Sequence, residues 1–243
     1  MSSLFHNFLY LPLLNLLFFI YHITFSDLGI AIIVLTVVIR VILLPIFYKG
    51  AKDQTIMQKL APKIREIQQT HKADKQQQTK EMLALYKEHK VNPFSSIGLL
   101  LLQLPILFAL YRLFLSGFNS DVLSQLYSFV ARPEVVNYHF LGIIALNEKN
   151  ILLVLIAAAL QYLQTYYLMQ VSANKTSTVP DENPAVAMAQ KMSKRMMYFT
   201  PILTVVILSG LPSAVALYWL TTSAFSTVQQ IIINKRIQSQ PIS

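Results

Sequence analysis

Long apolar runs separated by polar connections organise this chain. Five runs approach or reach the roughly 20 residues that a bilayer crossing takes: Leu28–Tyr48, Phe94–Leu115, Ile151–Val171, Met196–Leu211 and Ser213–Ile233. Met196–Leu211 is the shortest. At 1.5 Å per residue it spans about 24 Å against a hydrocarbon core of about 30 Å. A further apolar stretch, Leu4–Phe25, carries His6, Asn7, Asn15 and His22, has Pro12 inside it, and stops a few residues before the next run. No loop between two full crossings fits there. It is therefore expected to lie as an amphipathic helix in the outer interface (residues 1–26), with Tyr10 and Tyr21 at headgroup depth. A cleaved signal peptide would need a cationic segment ahead of the apolar run, and no Lys or Arg precedes it.

The polar connection 49–92 reads as an antiparallel helical hairpin. Pro62 suits the first turn of one helix, which runs to about His71 with Ile64 and Ile67 on one face. Asp74 suits the N-cap of the second, with Gln77 completing a capping-box-like pair. Asn92 and Pro93 then suit the cap and first position of the next span. At about 40 residues the segment is long for a connector, which favours a docking or gating role. Loop 172–195, with Pro180 and Pro184, is polar; 117–149 is the connection on the other side, and 234–243 is a short tail.

Composition agrees with a membrane protein. The chain is 54% hydrophobic and 13% charged, whereas soluble domains carry about 25% charged residues. Cysteine is absent, which removes disulfides, thiolate nucleophiles and Cys-ligated metals from consideration. The net charge of +9 would suit nucleic acid, but its distribution is a topology signal. Residues 1–39 hold no Lys or Arg, while 49–90 holds Lys49, Lys52, Lys59, Lys63, Arg65, Lys72, Lys75, Lys80, Lys87 and Lys90. Only Arg132 and Lys149 lie in 117–149, whereas Lys175, Lys191, Lys194 and Arg195 lie in 172–195, and Lys235 and Arg236 follow the last run. The positive-inside rule then places the N-terminus outside and the C-terminus in the cytoplasm, with no dedicated nucleic-acid binding.

Against that background Arg40 stands out. Insertion scales charge roughly 2.5–3.5 kcal/mol for an arginine at a helix centre. Thr36 shares its helix face one turn earlier. Gln103, Arg112, Gln161, Gln164, Thr204 and Thr221–Thr222 are among the other polar residues within the spans. Arg112, near the end of its span, can snorkel to headgroups. Single polar residues ordinarily glue helices together; several on different helices, with an arginine, suggest a shared wet cavity. No acidic residue occurs inside any of the five spans. Arg40 is thus expected to meet water, or a carboxylate that arrives with another molecule. The same feature weighs against a proton-coupled transporter. No phosphate loop, paired-His metal motif or nucleophile elbow is present, so neither an enzyme nor a cofactor is expected.

The runs "LGIAIIVLTVVIRVILLPIF", "MQKLAPKIREIQQTH", "EMLALYKEHKVNPF", "LLLLQLPILFALYRLF" and "MMYFTPILTVVILSGLPSAVALYWLTTSAFSTVQQIIINKRI" resemble, in order, the YidC/Oxa/Alb family of membrane protein insertases. The resemblance is to the short, five-span bacterial core. It implies an all-α polytopic protein of the bacterial cytoplasmic membrane whose core, 27–233, encloses a hydrophilic groove open to the cytoplasm. The groove residues it implies are Arg40, Thr36, Gln103 (followed by Pro105) and Trp219, with Gln164 or else Gln161 from the third span. It implies insertion and folding of small membrane proteins, alone or with the Sec translocon, in contact with lipid and without nucleotide or metal. Two departures matter. Relatives often have glycines and a cysteine where this chain reads "NPFSSIGLLLLQLP". The lysine-rich C-terminal extension that helps some relatives hold ribosomes has no counterpart in the tail, so ribosome contact would fall to the hairpin and the 172–193 loop. The rival expectations are a pore or small-solute transporter, and a structural factor that only holds membrane complexes together.

Overall fold

The computed structural model describes residues 3–173 and 198–238. The described chain falls into two compact units. The first comprises Met1–Leu43, Leu101–Gln161 and Pro201–Phe225; the second comprises Leu44–Leu100, Tyr162–Thr200 and Ser226–Ser243. Loop 172–195, apart from its first two residues, and the last five residues of the tail lie outside the described residues.

The first unit starts with α1 (Ser3–Ile23). Its turn at His6–Tyr10 is widened to π-helical spacing, and the Leu11 N–H reaches the His6 carbonyl. The widening sits where Pro12, which has no N–H to donate, would crowd the preceding turn. Leu14, Leu17, Phe18 and Tyr21 of α1 are buried to 1% exposure or less, and the Phe18 ring meets the Phe118 ring edge-on at 5.1 Å. Tyr10 and Tyr21, expected at headgroup depth, are core residues at 3% and 1% exposure. Both pack against protein: Arg112 lies over the Tyr10 ring, and the Tyr21 hydroxyl accepts from the Asn137 N–H. By length and hydropathy α1 could itself cross a membrane.

A turn with Phe25 and Ser26 at φ 55 and 57 leads to α2 (Leu28–Ile42). The Asp27 carboxylate fixes this corner. One oxygen accepts from the Ile30 N–H at 2.9 Å, capping α2. The other accepts from the Leu141 N–H at 2.7 Å, tying α2 to the loop that follows α5 (Ser95–Leu115).

That loop is ordered. It contains α6 (Ser120–Leu123), capped by Asn119, and a two-stranded antiparallel hairpin, β1 (His139–Phe140) with β2 (Ile144–Ala145), in register His139↔Ala145. Val122, Leu126, Val130, Val136 and Leu146 anchor it in the core. Asn15 accepts from the Tyr127 N–H at 2.6 Å, and the Tyr21 hydroxyl from the Asn137 N–H at 2.9 Å. The Tyr138 hydroxyl donates to the Gly117 carbonyl. Burial, with Tyr21 nearby, pushes the Tyr138 phenol up and so keeps that donor proton in place.

The unit is completed by parts of α7 (Ile151–Ala173), α8 (Tyr198–Leu208) and α9 (Ser213–Gln238). At the start of α9, Ser213 donates its N–H to the Glu148 carbonyl at 2.7 Å, and Ala214 donates to Leu146 at 3.0 Å.

In the second unit, α3 (Leu44–Thr70) is one unbroken helix with Pro62 inside it, not a helix that begins at Pro62. An interior proline costs about 3 kcal/mol. Here Ile56, Met57, Ile64 and Ile67 pack around Leu60, Leu85 and Val91 and offset it. The expected first span, Leu28–Tyr48, breaks at Leu43 instead. Pro45, just beyond the break, has no N–H to return to the Val41 carbonyl.

The second hairpin helix, α4 (Lys75–Glu88), is capped by Asp74 as expected. Gln77, however, reaches forward to Glu81 at 3.0 Å instead of closing a capping box. His71 lies 2.9 Å from the same glutamate. Asn92 accepts from the Phe94 N–H at 2.9 Å, and α5 begins at Ser95. At the far end α9 continues past the expected Ile233 into the supposed tail, with Lys235 and Arg236 in its last turn.

Two outcomes test this packing. A Cβ on Gly29 would lie 2.6 Å from the Phe140 Cβ and 2.2 Å from its ring, whereas Gly98, in α5, has nothing within 4 Å. Gly29→Ala is expected to lose about 1–3 kcal/mol, and Gly98→Ala to gain about 0.5–1 kcal/mol from helix propensity, read as opposite shifts in melting temperature. Because the hairpin has its own small core, replacing Lys63–Glu88 by a short linker should leave the first unit folded. Loss of its cooperative melting would contradict that.

Candidate functional site

Arg40 belongs to the buried stripe of α2. Leu28, Ile32, Thr36 and Arg40 recur every fourth residue, and Leu35 joins them. Thr36 is 1% exposed and Arg40 7%. The Thr36 hydroxyl donates back to the Ile32 carbonyl at 2.6 Å, so the helix itself satisfies it. Arg40 stands in the last turn of α2, where a cation meets the negative end of the helix dipole. It lies within electrostatic reach of Tyr218 on α9. Tyr218 is 3% exposed, and its hydroxyl accepts from the Gln103 side-chain amide of α5.

The next residue of α9 makes the complementary set of contacts. Successive helix positions diverge by about 100°, so Trp219 points away from Tyr218. Its indole N–H donates to Gln161 Oε1 on α7 at 3.0 Å, and the Thr204 hydroxyl of α8 donates to the same oxygen at 2.5 Å. One glutamine oxygen thereby joins three helices. Trp219 itself is half-buried.

Of the residues singled out from the sequence, Thr36, Arg40, Gln103, Trp219 and Gln161 all fall in the first unit, together with Thr204. Gln164 falls in the second unit and is half-buried. Thr221 donates to the Leu217 carbonyl of its own helix at 2.9 Å. Arg112 lies over the Tyr10 ring, 5.3 Å from its centre.

Sequence reasoning missed two features. Tyr218, noted only as the neighbour of Trp219, is the side chain that brings α2 and α5 to α9. In the second unit a polar network is buried. Ser95 donates to Asp53 at 2.6 Å, Gln230 donates to Thr55 and to Asn234 at 2.8 Å each, and Asn234 donates to the Tyr167 carbonyl at 2.6 Å. Its signal was in the chain. Gln230 and Asn234 stand at i and i+4 within an apolar run, which puts them on one face.

Trp219 is the chain's single tryptophan, so intrinsic fluorescence reads its surroundings alone. Gln161→Leu should raise the mobility of the ring, seen as lower emission anisotropy. It should also cost about 1–2 kcal/mol, the range of interhelical hydrogen bonds in membranes. Gln164→Leu should leave the emission unchanged.

Residues 19–240 match the family model described as 60Kd inner membrane protein. The chain is 32% identical over 239 residues to a protein of Bacillus subtilis named membrane protein insertase MisCB, covering 94% of this chain and 79% of the relative. It is 35% identical over 211 residues to the membrane protein insertase YidC of Fusobacterium nucleatum, covering 87% of this chain and 88% of the relative. With the YidC of Helicobacter pylori strain 26695 the identity is 31% over 212 residues, which is 87% of this chain and 34% of that relative. A match over nearly the whole chain, and relatives above 30% identity covered over most of their own length, place the chain in the 60Kd inner membrane protein family, the family of the membrane protein insertases YidC and MisCB.

Proposed function

We propose that this chain is a membrane protein insertase of the bacterial cytoplasmic membrane. It has five spans, with its N-terminus outside and its C-terminus in the cytoplasm. Thr36, Arg40, Gln103 and Trp219 form the substrate-handling surface of the first unit, and Gln161, the sequence's other third-span candidate, takes part through Trp219. The observation that carries this reading is a buried guanidinium on an apolar helix, set beside a hydrogen-bonded Tyr218–Gln103 pair. Arg40 draws in the polar, often acidic, segment of a client. The client's apolar helix meanwhile moves along the half-buried Trp219 towards lipid. Partition of that helix into lipid drives the step, and the membrane potential adds about 2.3 kcal/mol per charge per 100 mV for an acidic segment moving outward.

Nascent membrane proteins and lipid are the proposed partners, with the Sec translocon and the ribosome as further ones. Ribosome contact on this reading falls to the hairpin of α3 and α4. The ordered loop between α5 and α7, tied to α1, α2 and α9, supports an insertase over a pore, which would need a path open at both ends. Single-channel conductance of the reconstituted protein would favour the pore.

The decisive experiment uses purified protein in liposomes with two clients that differ only in having acidic or neutral outer segments. Arg40→Lys should retain most insertion, because the charge is kept although the fork is lost. Arg40→Ala should lose about tenfold or more on the acidic client, equivalent to about 1.4 kcal/mol, and much less on the neutral one. Arg40→Glu should be worse on the acidic client through repulsion. If Arg40→Ala instead lowers the melting temperature and damages both clients alike, Arg40 only braces the helices.

A further inference from the structure

Two exposed apolar residues of the first unit occupy a backbone conformation that disfavours them. Phe25, in the turn between α1 and α2, has φ 55 and is 96% exposed. Leu141, at the tip of the β1–β2 hairpin, has φ 51 and is 60% exposed. The left-handed region is costly for a residue with a Cβ and is ordinarily left to Gly, Asn or Asp. At the hairpin tip the Ile143 N–H donates to the Phe140 carbonyl at 3.0 Å across Leu141 and Gly142, both at positive φ. Turns of this kind are ordinarily built from Asn-Gly or Asp-Gly. An asparagine at position 25 or 141 would relieve the backbone and expose less apolar surface. Strain kept in an exposed turn points to a use for the side chain that causes it.

The two turns meet at one carboxylate. Asp27 caps α2 through the Ile30 N–H and accepts from the Leu141 N–H at 2.7 Å. The hairpin tip is thereby held level with the start of α2. Phe140 lies against Gly29 of that helix, while Ile143, across the tip, is 82% exposed. Residues 28–39 carry no charge, so the boundary between polar and apolar sequence falls at Asp27. In a bilayer that boundary lies where headgroups give way to acyl chains. Phe19 and Ile23, four residues apart on one face of α1, are exposed as well. They carry the apolar surface of a helix with span hydropathy up to Phe25. Residues 140–146, FLGIIAL, offer no charge and no polar side chain to a protein partner. Protein interfaces are anchored instead by Trp, Tyr and Arg, with Leu under-represented.

We propose that Phe25, Leu141 and Ile143 form a lipid anchor on the side of the α1–α2 turn. The three side chains enter the bilayer interface down to the edge of the acyl chains, and the bilayer itself is the occupant of this surface. The anchor holds the loop that follows α5 on the membrane, and Asp27 couples it to the start of α2. The inference goes beyond client insertion and rests on the proposed topology only for naming this leaflet the outer one.

The chain has no cysteine, so a single introduced one takes a nitroxide label without ambiguity. Full-length Phe25→Cys, Leu141→Cys and Ile143→Cys proteins, each shown to melt as the wild type, are labelled. They are reconstituted without other proteins into vesicles of phosphatidylglycerol and phosphatidylcholine. Collisions of the label with oxygen, which concentrates in lipid, are compared with collisions with a water-soluble nickel chelate present on both sides. All three sites should give an oxygen-to-nickel ratio severalfold above that of Glu134→Cys and Asn147→Cys, exposed polar positions of the same loop. Adding Leu141→Asn, which suits the turn, should lower the ratio at Ile143→Cys. A water-like ratio at any of the three sites would overturn the proposal, as would no response to Leu141→Asn. Dipolar broadening between labels would also overturn it, by showing that a second copy covers the surface. Client insertion by the same labelled proteins is a separate reading, so failure of the anchor and failure of the insertase reading are told apart.

Discussion

Tyr218 and Trp219, neighbours on α9, hold the first unit together at its centre. Away from bulk water a buried polar side chain is costly unless it finds a partner. Tyr218 does so on the side of α5, through Gln103, and lies within electrostatic reach of Arg40 on α2. Trp219 does so on the side of α7 and α8, through Gln161 and Thr204. The two side chains of one dipeptide thus connect α9 to four other helices. Because helices in a membrane gain no hydrophobic driving force against one another, such contacts and close packing set which helices meet. The contacts of Tyr218 and Trp219 therefore help to specify the fold of the first unit.

The helices themselves were legible because apolar runs of about 20 residues have few alternative explanations. The runs near 94–115, 151–171 and 213–233 became α5, α7 and α9 with ends moved by only a few residues, apart from the extension of α9. What failed was local and involved proline twice. Pro62 reads as a helix start, yet packing around Leu60 keeps it inside α3; Pro45 reads as part of a span, yet the helix is interrupted just before it. At Pro45 the missing N–H interrupts the helix, as propensity dictates, whereas at Pro62 tertiary packing overrides it. The burial of Tyr10 and Tyr21 was not legible either, because a tyrosine near a helix end suits an exposed or a buried position, and here Arg112 and the loop at Asn137 pack against them.

The candidate site was legible in part. Arg40, Thr36 and Gln103 are conspicuous because polar residues are rare in the spans, and they do fall together in one unit. Tyr218 was not, since tyrosine is unremarkable in a membrane segment until its hydroxyl is seen to be buried. The choice between Gln161 and Gln164 turns on three residues, about 300° of helix rotation, which spacing within one run does not resolve. Gln161 is the one hydrogen-bonded to Trp219 and Thr204. The polar network around Asp53 and Gln230 went unread because it joins distant parts of the chain, and a single sequence carries no record of such pairings.

On the proposed reading, magnitudes decide what a single arginine can contribute. A client helix of 20 apolar residues gains roughly 0.3–0.6 kcal/mol per residue at the bilayer centre, about 6–12 kcal/mol in all. Each acidic residue crossing unaided faces roughly 2.5–3.5 kcal/mol, so two to four of them would consume that gain midway. They end in water on the far side, however, so the penalty belongs to the crossing and not to the final state. Arg40 thus acts on a barrier, while helix partition supplies the net drive. A group that acts on a barrier must not hold its ligand strongly, because tight pairing turns the intermediate into a trap. One arginine whose charge is shared with a dipole end and a neighbouring phenol attracts an acidic segment without retaining it. A cluster of cations at the same depth would bind the segment more tightly and release it more slowly.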